Sequence, residues 1–170
     1  RVDLTKRPKT SKKFIFPHKC PCGFSTVKEF NETTKKYDAV RRCPDKGYDC
    51  NLITKEKLKH YVSKDAVNIE GLGKKVIENF WKLNLLKLPQ DIYELDFNKI
   101  SKLEGWGKLS ADKLKKSIEK TKKINLDRFI FSLGIRHIGQ ENAKILARFF
   151  KSINNFKKLR NWNWLAPTSR

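Results

Sequence analysis

Three nine-residue segments in the second half of the chain align without gaps: IEGLGKKVI (Ile69 to Ile77), LEGWGKLSA (Leu103 to Ala111) and IRHIGQENA (Ile135 to Ala143). Their final glycines, Gly73, Gly107 and Gly139, fall 34 and then 32 residues apart. A repeat at this period means stacked copies of one supersecondary unit. Around each segment apolar residues recur at three- and four-residue spacing: Leu58, Tyr61, Val62; Val76, Ile77, Phe80, Trp81; Leu114, Ile118; Ile145, Leu146, Phe149, Phe150. That spacing predicts amphipathic helices and a mainly α fold. A period near 34 also suits tetratricopeptide helix pairs. Their glycine lies within a helix pattern, however, whereas the Gly-apolar-Gly triplets here separate two helical segments. The placement predicts helix-hairpin-helix units.

The triplet has a chemical consequence. Gly71 and Gly105 can take positive φ without a Cβ clash, while Leu72 or Trp106 plugs between the helices. The second glycine, Gly73 or Gly107, then opens the next helix. Amides there, at Gly73, Lys74 and Lys75 or at Gly107, Lys108 and Leu109, lack intrahelical partners and face the positive end of the helix dipole, which makes an anion site. One such turn alone is usually only a turn. Three in phase, in a chain with 39 Lys+Arg against 18 Asp+Glu and a net charge of +21, point to nucleic-acid phosphate. Such contacts position a duplex without reading its sequence. The third copy ends on Gly139 but carries His137 in place of the first glycine. Two readings stay open there: an imidazole contact to phosphate, or a purely structural hairpin.

All four cysteines lie between residues 14 and 53, with 20 residues between Cys22 and Cys43 and 6 between Cys43 and Cys50. Two pairs across a loop, Cys20 with Cys22 and Cys43 with Cys50, form the pattern of a structural zinc site that staples a module too small for a core. The first pair has one intervening residue where two are usual. Free thiols, and a site in which His18 replaces one cysteine, therefore remain as alternatives. No glutamate is placed as a general base beside an open ligand position, so the pattern does not suggest catalytic zinc.

Elsewhere the chain is less informative. Residues 1–13 combine a short alternating stretch, Val2 to Leu4, with a basic run broken by Pro8, which predicts a strand end and a linker. Residues 54–155 hold the three repeats, and 156–170 form a truncated or atypical tail. The charge is spread over both halves, +9 in residues 1–65 and +12 in 66–170. The chain opens on Arg1 and contains no Met, so the expectation is a fragment. No apolar run reaches the length of a membrane span and no export signal is visible. Four cysteines in such a chain suggest thiolates in a reducing compartment, hence a cytoplasmic, nucleoid-associated protein. His18, His60 and His137 are scattered without a nucleophile at motif spacing. Trp81 and Trp106 sit at packing positions. The Lys pairs at 115 and 116, 122 and 123, and 157 and 158 read as solvated helix faces.

A four-cysteine module leading into tandem helix-hairpin-helix repeats resembles the C-terminal half of bacterial NAD-dependent DNA ligases. The resemblance rests on FPHKCPCG (Phe16 to Gly23), AVRRCP (Ala39 to Pro44), HYVSKDAVNIEGLGKKVIENF (His60 to Phe80), LEGWGKLSADKL (Leu103 to Leu114) and FSLGIRHIGQENAKILARFF (Phe131 to Phe150), and covers about residues 2–155. It implies that residues 2–9 close an oligonucleotide-binding barrel. It also implies structural Zn2+ on Cys20, Cys22, Cys43 and Cys50, and DNA contacts from Gly71, Gly73, Lys74, Lys75, Gly105, Gly107, Lys108, His137 and Gly139. The partner implied is nicked double-stranded DNA, held by a monomer with no membrane. In the family a lysine in a Lys-x-Asp-Gly motif takes AMP from NAD, AMP passes to the 5′ phosphate of a nick, and the 3′ hydroxyl displaces it. No Lys-x-Asp-Gly occurs in these residues, so NAD and Mg2+ chemistry is expected in a catalytic domain they lack, and the chain alone is expected to be inactive. A stand-alone DNA-binding or junction-recognition module is the alternative. A glycosylase with an iron-sulfur cluster fails, because its cluster cysteines follow the hairpin with closer spacing.

Overall fold

The computed structural model describes residues 4–6, 8–12, 14–32, 34–45 and 48–158. Backbone contacts divide the chain into two compact units, residues 1–45 and 46–170. Val2 and Asp3, two of the three residues of the expected strand end, lie outside the described residues, and Leu4–Lys6 forms a 3-10 turn instead of extending. Ser11 N donates to Pro8 O at 2.9 Å, closing another turn where the linker was expected. An extended segment needs a partner strand to satisfy its amides, and none lies beside these residues among those described.

The rest of the first unit is almost coreless. Its strands, β1 (Phe30–Asn31) and β2 (Lys36–Tyr37), pair antiparallel with Phe30 opposite Tyr37. Isolated bridges join Lys19 to Ser25 and Val27 to Arg42. Among its described residues Thr26 is the buried one: the hydroxyl donates to Pro17 O at 2.7 Å and accepts from Arg41 Nε at 2.9 Å, while Arg41 Nη2 donates to Thr26 O. A two-stranded hairpin of this size is marginal in water without further support.

The second unit is helical: α1 (Asn51–Tyr61), α2 (Lys74–Lys82), α3 (Phe97–Ile100), α4 (Lys108–Thr121), α5 (Leu126–Ser132), α6 (Gln140–Phe150) and α7 (Ile153–Lys157). Helix α1 starts before the apolar periodicity does, and the single hydroxyl hydrogen of Thr54 is shared between Cys50 O and Tyr48 O, at 3.0 and 3.1 Å. The repeats bury their apolar stripes in two clusters. Leu58, Leu72, Ile77, Phe80, Ile100 and Leu114 anchor the first, around which the first two hairpins close. Ile130, Ala143 and Phe156 anchor the second, under the third hairpin and α7.

Polar ties fix the order of the helices. Lys59 Nζ reaches Glu56 and Glu78, both at 2.9 Å, so α1 and α2 share a cation. His60 Nε2 lies 2.8 Å from Phe131 O, and its ring packs on Phe131. Arg128 Nε donates to Ala66 O at 2.9 Å, with Nη2 on Lys64 O. These bonds join α5 to α1 and to the loop after it, and they give His60 a structural role. One expectation needs correcting. Of the four residues whose spacing predicted α6, Leu146 and Phe150 pack on the second cluster, but Ile145 and Phe149 are 60% and 76% exposed, because they lie on a different stripe of the helix.

Candidate nucleic-acid interface and metal centre

The three hairpins have one backbone. The first position of each triplet is left-handed, with φ of +87° at Gly71, +76° at Gly105 and +66° at His137. His137 therefore does the backbone work of the missing glycine, at a conformation L side chains resist by about 1–2 kcal/mol. Its side chain is exposed, and Asn142 Nδ2 donates to its carbonyl at 3.1 Å, bracing the turn. Replacement tests this directly. In thermal or urea unfolding, His137→Gly is expected to leave stability within about 1 kcal/mol of the parent, whereas β-branched His137→Val costs about 1–2 kcal/mol. Equal effects would mean the turn does not depend on this residue's φ.

The middle residue plugs the core at each copy: Leu72 is fully buried, Trp106 stacks at 5.4 Å from Phe80, and Ile138 packs on the second cluster. The last glycine caps the following helix in extended conformation, at φ/ψ of −76°/175° for Gly73, −142°/173° for Gly107 and −79°/−177° for Gly139. No cap side chain bonds the first-turn amides of α2, α4 or α6. A Cβ added at any of the three would meet no protein atom within 4 Å. Any residue would fit these backbones, so packing within the chain does not demand glycine there. What glycine leaves is an uncovered helix end that an anion can approach. Lys74 and Lys75 stand exposed beside the first such end and Lys108 beside the second.

Two contributors escaped the sequence reading. Ser110 accepts from Gly107 N at 2.9 Å and donates to Gly107 O at 2.9 Å, which holds the second turn closed and corrects the expectation that the Gly107 amide has no partner within the chain; a serine at the third helical position is the available signal. Asn142 holds the same third helical position on α6, and its bond to His137 O braces the third turn as Ser110 braces the second.

The cysteines converge. Cys20, Cys22, Cys43 and Cys50 place their sulfurs within 4.8 Å of one another, with Cys22 and Cys43 at 3.6 Å, and none is in a disulfide. Four thiolates about 2.3 Å from a tetrahedral ion sit about 3.8 Å apart, so the cluster has the span a metal needs. The short first pair is accommodated by a tight turn: Gly23 N donates to Cys20 O and Cys20 N to Phe24 O, both at 2.8 Å, and Gly23 takes φ of +96°. His18 is not in the cluster; its carbonyl accepts from Thr26 N instead.

Residues 128–162 match the helix-hairpin-helix motif family, the described part of which is α5 from Arg128 onward, the third hairpin, α6 and α7. Among curated proteins, the DNA ligase of Pelagibacter ubique is 62% identical over 159 residues, 93% of this chain and 24% of that protein. The chain is homologous to a segment of DNA ligase. The DNA ligases of Parvibaculum lavamentivorans and Rickettsia prowazekii are 46% and 42% identical, over 89% and 91% of the chain and 22% of each relative. The chain thus spans about a quarter of the length of the curated relatives it matches. Among the described residues no helix is long and apolar enough to cross a membrane.

Proposed function

We propose that the chain is the DNA-holding segment of an NAD-dependent DNA ligase, gripping nicked duplex DNA while adenylation and nick sealing proceed on residues outside these 170. The observation that carries this reading is the uncovered helix end after a left-handed turn, built on glycines that the chain's own packing does not require. Phosphate fits such an end by charge and by hydrogen-bond geometry. Gly71, Gly73, Lys74 and Lys75 form the first contact, Gly105, Gly107 and Lys108 the second, and His137 and Gly139 the third. The lysines add counterion release, so affinity falls steeply with salt.

Zinc is the metal that fits the four-thiolate set of Cys20, Cys22, Cys43 and Cys50. It supplies a structural cross-link and no chemistry on DNA. NAD and Mg2+ act elsewhere in the enzyme, where an acceptor lysine lies, and the assembly works as a monomer beside the bacterial chromosome. Two incubations test the reading. With NAD labelled in its adenylate group the chain is expected to form no lysyl adduct, and with nicked duplex at low salt it is expected to form a retarded complex. A stoichiometric lysyl adenylate, or no complex at any salt, would overturn it.

A further inference from the structure

Helix α6 carries two apolar stripes, and the described residues cover one of them. Ala143, Leu146, Ala147 and Phe150 pack into the second core. Ile145 and Phe149, one turn apart on the neighbouring stripe, stand exposed. Single exposed apolar residues need no explanation, but these two are continuous with a core. The Phe149 ring meets the Phe150 ring edge-on at 4.9 Å, and Phe150 meets the buried Phe156 at 5.3 Å, so the exposed stripe is the outer edge of the second core. That core is also small, with three buried residues against fifteen in the first, among those described. Phe156 lies on α7, which is capped at Lys158, two residues further on. The chain therefore passes out of the described residues close to this stripe. Residues 159–170 lie outside them and read LRNWNWLAPTSR.

We infer that residues 159–170 turn back onto α6, with Trp162 and Trp164 covering Phe149 and Ile145. The two indoles alternate with Asn161 and Asn163, a period of two that puts both rings on one side of an extended segment and both amides on the other. Two residues of extended chain span about 7 Å. Four helical residues put about 6 Å between Phe149 and Ile145, so the spacing of the rings matches the spacing of the sites. The reach suffices as well, since Trp162 stands four residues beyond Lys158, up to about 14 Å of chain. An indole brings a large apolar area and pairs favourably with another ring edge-on or offset. A second copy of the chain is the competing occupant. A tether of a few residues, however, holds the two indoles at an effective concentration on the order of millimolar, which a free copy does not match. Phe149 lies about 15 Å along α6 from Gly139, so the inference goes beyond the DNA-holding reading and does not depend on it.

The test uses the 170-residue chain without DNA. Subtracting the fluorescence of a Trp162→Phe/Trp164→Phe double variant from that of the parent isolates these two indoles from Trp81 and Trp106. Their emission is expected to lie to the blue of the same difference taken in urea, with acrylamide quenching several-fold weaker. Phe149→Ser is expected to move the emission to the red and at least about double the quenching, because an aromatic contact is lost. Leu109→Ser, at a similarly exposed apolar position on α4, is expected to change neither. Both substitutions fall on exposed side chains, so the fold is kept, and circular dichroism checks it. Indoles that emit and quench in the parent as they do in urea, or that ignore Phe149→Ser, would overturn the inference. A response to Phe149→Ser that appears only as protein concentration rises would assign the stripe to a second copy, and would overturn it too.

Discussion

Cys43→Ser is expected to abolish metal binding and to unfold the small unit, while most of the helical signal survives. The cluster of four sulfurs is the largest single source of order available to residues 14–45, whose strands are two residues long and whose buried residue, among those described, is Thr26. Structural zinc contributes on the order of 10–16 kcal/mol in modules of this kind, far above what so small an apolar contact area supplies. The helices α1 to α7 rest on their own two clusters, so they have an independent source of stability. Protein purified without added metal should carry one zinc per chain by elemental analysis, with four thiols slow to titrate. In Cys43→Ser the zinc content should fall to near zero and the remaining three thiols should react at once. Near-zero zinc in the parent, with four readily titrated thiols in a folded chain, would contradict the assignment.

Much of the site was legible from residue types, because its geometry is local. Gly-apolar-Gly encodes a left-handed turn, a plug and a helix cap within three residues, and all three appear at residues 71–73 and 105–107. His137 was ambiguous for a physical reason: its φ is imposed by the repeat around it, and composition alone does not reveal that a non-glycine residue bears the strain. Periodicity identified α6 but not its buried stripe, since Ile145 and Phe149 obey the same spacing as Leu146 and Phe150. Which pair meets a core depends on α5 and α7, elements distant in sequence from the pattern. The Cys20-x-Cys22 spacing looked short because the usual two-residue gap assumes ordinary backbone. Gly23, just after the pair, is left-handed and closes the turn on Cys20 O. The bonds from His60 to Phe131 and from Arg128 to Ala66 span 71 and 62 residues, and no local pattern announces contacts of that range.

Gly107→Asp is expected to weaken duplex binding by about 1–3 kcal/mol, the loss of a charged hydrogen-bond contact plus repulsion, with the fold intact. Gly107 is extended and an added Cβ meets no protein atom within 4 Å, so the substitution introduces no strain. Aspartate is moreover a favoured helix cap, and α4 should become slightly more stable. The carboxylate would occupy the approach of the phosphate and use the amides meant for it. Lys122→Asp is the counterpart. It changes the net charge from +21 to +19, against +20 for Gly107→Asp, but Lys122 caps the other end of α4, about 20 Å away along fourteen residues.

The decisive measurement is the affinity of the parent, Gly107→Asp and Lys122→Asp for one nicked duplex across a salt series, with circular dichroism showing all three folded. If the hairpin amides hold the DNA, Gly107→Asp loses more affinity than Lys122→Asp at every salt concentration despite its smaller charge change. Losses ranked by net charge alone, with Lys122→Asp the weaker binder, would mean that diffuse positive charge and not the hairpins carries the binding.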